Sequence, residues 1–193
     1  MVQEFLAAER AEAAAWARDL LAEPFVVFDT ETTGVGRDDE IVQIGLIDGD
    51  GVVLMDQLVK PTKPIPDEAA AIHGITQFDV FRQPEFREVY PALKKALADQ
   101  RIVAYNADFD RKLLHQTCSR YGLPRINGKS WDCAMKQYAR FRGMWNVHRN
   151  SFRWVKLTQA CEHEGIMVRN AHAATGDCVM TLELLARMAE EAS

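Results

Sequence analysis

The sequence predicts a single α/β domain built on a mixed sheet flanked by helices, and three observations carry that expectation. Residues 25–28 form a continuous apolar, β-forming run, the mark of a strand buried on both faces. Asp48-Gly49-Asp50-Gly51 is strong hairpin chemistry between two further strand-like stretches, 40–48 and 52–59, so the first three strands should form an antiparallel meander. Beyond them, short apolar strands alternate with helical periodicity, the pattern of a helix-flanked sheet with parallel members. The 193 residues suit one such domain.

Taken in order, residues 1–23 are set apart as an N-terminal amphipathic helix, and 24–193 form the main domain. In the helix, Phe5, Ala8, Trp16 and Leu20 fall near one face, and Pro24 marks its end. The three strands follow. Residues 60–66 contain three prolines and read as an extended loop. Helical spacing of Phe86, Val89, Leu93 and Leu97 predicts a helix over 84–99, where Pro91 implies a kink or two short helices. A strand at 101–105, a helix at 107–121, a short strand near 130, a helix from Asp132, another at 155–164 and a last one at 173–190 complete the chain.

Composition narrows the function. No apolar run approaches the length that spans a bilayer, so membrane insertion is excluded. Lys and Arg number 23 against 28 Asp and Glu, a net charge of −5, so no global basic field is present. Any nucleic-acid partner must be held locally. Cys118, Cys133, Cys161 and Cys178 show no metal-ligand spacing and read as reduced, structural thiols. The acidic, Ala-rich start lacks the basic and apolar pattern of a secretory leader, so a cytoplasmic location is expected.

Three clusters carry chemistry. Asp29 and Glu31 lie two apart at the end of the central strand and therefore share a face, roughly 6.6 Å apart. No Lys or Arg lies within five residues of them, which favours a hard cation as the neutralising partner. In Asn106-Ala107-Asp108-Phe109-Asp110 a strand runs into a helix, with Asn106 as N-cap. Arg111 and Lys112 follow Asp108, whereas Leu113 and Leu114 follow Asp110. Spacing thus turns Asp108 outward and Asp110 toward the sheet. Finally, Asp177 opens the buried stripe of the last helix, and His172 must project from the loop before it.

Asp29-Thr30-Glu31-Thr32-Thr33-Gly34, then 106–110, then His172 with Asp177, resemble in order and spacing the three exonuclease motifs of the DEDD superfamily, in its histidine-bearing branch. That branch includes the proofreading subunit of bacterial replicative polymerases, ribonuclease T and oligoribonuclease. Ile72-His73-Gly74-Ile75-Thr76 resembles the segment between the first two motifs. The resemblance implies a ribonuclease H-like fold with a five-stranded mixed sheet, two divalent metal ions (Mg2+ or Mn2+), and release of nucleoside 5′-monophosphates from a 3′ end. It further implies that Asp29 bridges both metals, that Glu31 and Asp177 complete the first site, and that Asp110 supports the second. His172 would act as general base. Thr32 and Gly34 match positions whose backbone contacts the terminal nucleotide, while His73, Asn106 and Phe109 match groove-lining positions.

The expected substrate is the 3′ end of single-stranded or frayed DNA. An RNA-trimming exonuclease is the alternative within the enzyme class, and a nuclease-derived binding module that has lost chemistry is the alternative outside it. Residues 136–156 carry Lys136, Arg140, Arg142, Arg149, Arg153 and Lys156, no acid, and interleaved Tyr138, Phe141, Trp145, Phe152 and Trp154. Such a stretch suits phosphate contacts and base stacking, so it is read collectively as a substrate-guiding arm, against the alternative that single residues of it simply pack under solvated charges. Gln77-Phe78-Asp79-Val80-Phe81 resembles the peptide by which bacterial proteins bind the sliding clamp, but apolar residues inside a domain are ordinarily needed for packing, which argues against that use. Only sixteen residues follow Asp177, too few for the tail that tethers a replicative proofreading subunit, so a stand-alone enzyme is expected.

Overall fold

The computed structural model describes residues 2–191. Strand β1 (Val26–Thr32) begins as the apolar run read from the sequence, and Val26, Val27 and Phe28 are all buried. A strand buried on both faces belongs inside a sheet. It pairs antiparallel with β2 (Ile41–Asp48), which pairs antiparallel with β3 (Val53–Leu58). On its other side β1 runs parallel to β4 (Arg101–Ala104), and β4 runs parallel to β5 (Ser130–Cys133). The sheet order is β3-β2-β1-β4-β5, the expected meander joined to parallel strands.

Each face of the sheet has its own core. On one face Val27, Ile47 and Val103 pack under α1 (Val2–Leu21), α6 (Ala134–Phe141), α7 (Leu157–His163) and α8 (Ala174–Ala189). On the other, Phe28, Ile44, Leu46 and Ile102 pack against α4 (Phe86–Leu97) and α5 (Ala107–Arg120). None of the helices among the described residues is long and apolar enough to cross a membrane.

Several expectations need correction. Helix α1 buries Ala13, Ala14, Ala17 and Leu20, while Phe5 is exposed, because α1 lies against α6 and α8 along a stripe of small residues. Helix α4 is continuous through Pro91, not divided in two. Asp132 lies in β5, and α6 starts two residues later. Two short helices within 60–83 escaped the sequence reading: α2 (Asp67–His73), closed by Gly74 in the left-handed conformation, and α3 (Gln77–Val80). In α3 only Val80 is buried, whereas Phe78 is 89% exposed and its neighbour Phe81 is 64% exposed. Packing therefore does not explain those two rings. A two-stranded hairpin of β6 (Trp145–Asn146) and β7 (Ser151–Phe152) was also missed.

Candidate active site

The parallel pairing of β1 with β4 sets the carboxyl ends of two strands side by side, the place where helix-flanked sheets form crevices. Asp29 lies opposite Gly45 on β2 and Glu31 opposite Gln43, and the ladder register shifts between Glu31 and Thr32. An irregularity of this kind ends regular pairing and re-aims the side chains beside it.

Helix α5 starts just after β4 and carries Asp110 one turn in. The Asp110 carboxylate is 2% exposed, and its Oδ1 accepts hydrogen bonds from the Thr30 backbone N–H (3.1 Å) and Thr30 Oγ1 (2.9 Å). Asp108 faces outward and pairs with Lys136 and Arg111, as helical spacing predicted. Asn106 occupies the N-cap position but makes no side-chain capping bond, a correction to its expected role, and instead lines the cavity described below.

The third element is the start of α8. Gln43 Oε1 accepts a hydrogen bond from the Ala174 N–H at 3.1 Å, and α8 begins directly on β2 at Gly45. A Cβ at Gly45 would lie 2.4 Å from the Ala174 carbonyl carbon, so only glycine lets the helix seat there. That seating brings Asp177 beside Asp29. The His172 N–H donates to Asp177 Oδ1 at 3.1 Å, and His172 itself is exposed with φ of 64°, a left-handed conformation that non-glycine residues seldom adopt. One ligand-capable atom from each of Glu31, His172 and Asp177 lies within 4.8 Å of the others.

Asp29, Glu31, Asp110, Asp177 and His172 line one cavity of about 140 Å³, together with Asn106 and Phe109. Thr30, Tyr105 and Leu157 also line it. The sequence reading assigned no site role to these three: Thr30 sits between the two acids on β1, while Tyr105, just past β4, and Leu157, the first residue of α7, reach the cavity only through the fold. Thr32, Gly34 and His73 are not in the lining. They form a network beside it, in which Thr32 Oγ1 donates to the Gly34 carbonyl at 2.7 Å and the His73 ring meets the Thr32 carbonyl at 3.2 Å. His73 Nδ1 accepts from the Ile75 N–H at 3.0 Å, which leaves the proton on Nε2 for Thr32. Burial lowers the pKa of His73 against the opposing hydrogen bond to the Thr32 carbonyl, and nearby His172 lowers it further.

The electrostatics of the cavity are those of crowded acids. Burial raises the Asp29 pKa well above the carboxylate range, and Asp110, Asp177 and Glu31 add to it. Burial, then Asp177 and Asp110, push Glu31 up to about 8. Asp110 is raised by burial to about 7, although the Thr30 hydrogen bonds oppose the shift. Asp177 is raised by burial as well, against the opposing effect of the His172 N–H. No Lys or Arg forms an ion pair with any of the four among the described residues. Ionising all four at neutral pH thus requires cations from outside the chain.

The basic stretch divides in two. Arg140 pairs with Glu9 and Glu12, Arg142 with Glu164, and Lys136 with Asp108, while Tyr138 and Phe141 are core residues. These belong to the scaffold, which corrects the reading of the whole stretch as an arm for substrate. Arg149, Arg153 and Lys156 are exposed and form no ion pair among the described residues.

Residues 26–185 match a protein-family model described as Exonuclease. The chain is 42% identical over 181 residues to the uncharacterized exonuclease CP81 of Escherichia phage 186, covering 90% of this chain and 92% of the phage protein. It is 33% identical over 160 residues to Exodeoxyribonuclease 10 of Escherichia coli K12, covering 82% of this chain and 66% of that protein. Among solved structures, Exonuclease X in complex with 5′ overhanging duplex DNA superposes with a TM-score of 0.63 at 30% identity, covering 85% of this chain and 90% of that one.

Proposed function

Because this chain belongs to the exonuclease family whose model it matches, we propose that it is a metal-dependent 3′–5′ exonuclease releasing nucleoside 5′-monophosphates from single-stranded or frayed DNA ends. The observation that carries the reading is the convergence of four carboxylates and one histidine on a single cavity. DNA is favoured over RNA by the likeness to Exodeoxyribonuclease 10 and to Exonuclease X bound to duplex DNA.

The donor set fits hard divalent ions. It is rich in carboxylate oxygens, holds no thiolate, and consists of acids that destabilise one another's charge until a cation arrives, so Mg2+ or Mn2+ suits it. When bound, two such ions supply Lewis-acid stabilisation of the charge that builds on the phosphodiester and on the leaving 3′ oxygen. In this reading Asp29 would serve both ions, Glu31 and Asp177 would hold one of them with it, and Asp110, fixed by Thr30, would support the other. His172 takes the proton of the attacking water, its backbone anchored to Asp177 so that the ring stays at the cavity mouth. Asn106 and Phe109 line the space for the terminal nucleotide, and the Thr32–Gly34 backbone, held by His73, lies beside that space as a further contact for the nucleotide.

The test is a hydrolysis assay on end-labelled single strands of DNA and RNA with Mg2+ or Mn2+. Degradation should begin at a free 3′ hydroxyl, stop with EDTA, and ignore a blocked 5′ end. Asp29→Ala should abolish it and leave the fold intact, because loss of the bridging ligand also relieves acid crowding. A covalently closed circle cut as fast as a linear strand would overturn the assignment, and so would unchanged turnover in Asp29→Ala.

A further inference from the structure

The hairpin of β6 and β7 borders an open cavity of about 700 Å³, lined by Trp145, Arg149, Phe152, Arg153 and Trp154 among others. We propose that this cavity binds the single strand upstream of the scissile nucleotide, with Trp154 as a base-stacking platform and Arg149 and Arg153 as phosphate contacts. The proposal rests on the reading of the acidic cavity as a nuclease centre.

Three observations lead there. First, of the six cations in this stretch, three are already neutralised by carboxylates of the chain, so the free positive charge concentrates on Arg149, Arg153 and Lys156. Exposed guanidinium groups beside an exposed aromatic face are the combination that holds single strands without regard to base identity. Trp154 supplies that face, being 62% exposed and part of the cavity lining.

Second, the hairpin is braced, not loose. The Trp145 and Phe152 rings meet at 4.9 Å, and Phe5 of α1 packs on both, at 5.3 Å and 6.2 Å. Glu9 and Glu12 of α1 hold Arg140 at the base of the same cavity. Helix α1 lies outside the residues matched by the family model, so the brace reaches the hairpin from beyond the matched segment. A preorganised site loses less freedom when it binds.

Third, the cavity lies close to the acids. Tyr105, which lines the acidic cavity, donates its hydroxyl to the Val155 carbonyl at 2.8 Å, next to Trp154 in the chain. Leu157, another lining residue, is only three positions from Trp154, which limits their Cα separation to about 11 Å. A strand whose 3′ end lies among the acids can therefore reach the indole within a few nucleotides.

The experiment compares wild type, Trp154→Ala, Trp154→Phe and the double variant Arg149→Ala/Arg153→Ala. Binding of a labelled DNA single strand is measured with Ca2+ present across a salt series, and hydrolysis is measured on that strand and on a dinucleotide. Trp154→Ala should weaken binding of the long strand about 5- to 100-fold, the loss of one stacked base, and Trp154→Phe should restore most of it. The double variant should lower the slope of log affinity against log salt by about 1.4, two phosphate contacts on a single strand. KM for the long strand should rise in these variants, with kcat and all dinucleotide kinetics unchanged. Wild-type affinity and salt slope in both Trp154→Ala and the double variant would overturn the proposal, as would an equal loss on the dinucleotide. A wild-type protein that binds strands but hydrolyses none would refute the nuclease reading alone, since binding and its salt slope are read without turnover.

Discussion

Glu31 shows how a single side chain ties stability to pH. In the folded protein its pKa is raised from 4.5 to about 8, so the fold keeps a proton that the unfolded chain releases at lower pH. Stability from this group is fully present below about pH 4.5 and is lost as pH climbs toward 8. Asp110, raised from 3.8 to about 7, acts in the same sense. Without metal the melting temperature should therefore fall between pH 4 and 8, and Glu31→Gln should flatten the decline and melt higher at pH 8, by several degrees. Calorimetry in EDTA checks this, and a flat wild-type profile would contradict it. His172, by contrast, is expected to act on rate and not on stability. As the proposed proton acceptor, its replacement in His172→Ala should reduce turnover roughly 10²- to 10⁴-fold and flatten the acidic limb of the pH–rate profile. Metal affinity by calorimetric titration should survive, since all four carboxylates remain. A variant with the wild-type rate and profile would remove the histidine from the reaction.

Among the elements, the seating of α8 on β2 positions Asp177 and His172 together. Gly45→Ala would force a methyl group into the Ala174 backbone, lifting the helix start. The expected result is a loss of about 1–3 kcal/mol of stability from overpacking and a disproportionate fall in turnover, on the order of 10²-fold for a displacement near 1 Å. Equal activity per folded molecule would show that the helix can shift without moving the site. The seating also marks the limit of what local pattern reveals. Strands β1 to β3 and the facing of Asp110 were legible because strand alternation and helical spacing are local rules. The exposed Phe5 and the neutralised Arg140 were not legible, since each depends on elements far along the chain. Helices α2 and α3 and the β6–β7 hairpin are too short for periodicity to register.

At the scale of the molecule, divalent ions that bind the folded acids and not the unfolded chain should stabilise the whole domain. At a hundredfold excess over Kd the gain is about 2.7 kcal/mol, on the order of 5–10 °C for a chain of this size. Thermal melts across a Mg2+ series check it, and Asp29→Ala should abolish the shift. The contact between α1 and α8, at opposite ends of the described chain, extends this into kinetics. Asp29 and Asp177 are likewise 148 positions apart, and closures of such long loops are entropically costly and slow. The ion site should then be absent from the folding transition state, so bound Mg2+ should leave the refolding rate unchanged and slow unfolding instead. Stopped-flow refolding that accelerates with Mg2+ would place the acids in the nucleus. Otherwise the ion that serves the reaction also governs how long the native state lasts, and chelation would shorten the life of the protein as well as stop its chemistry.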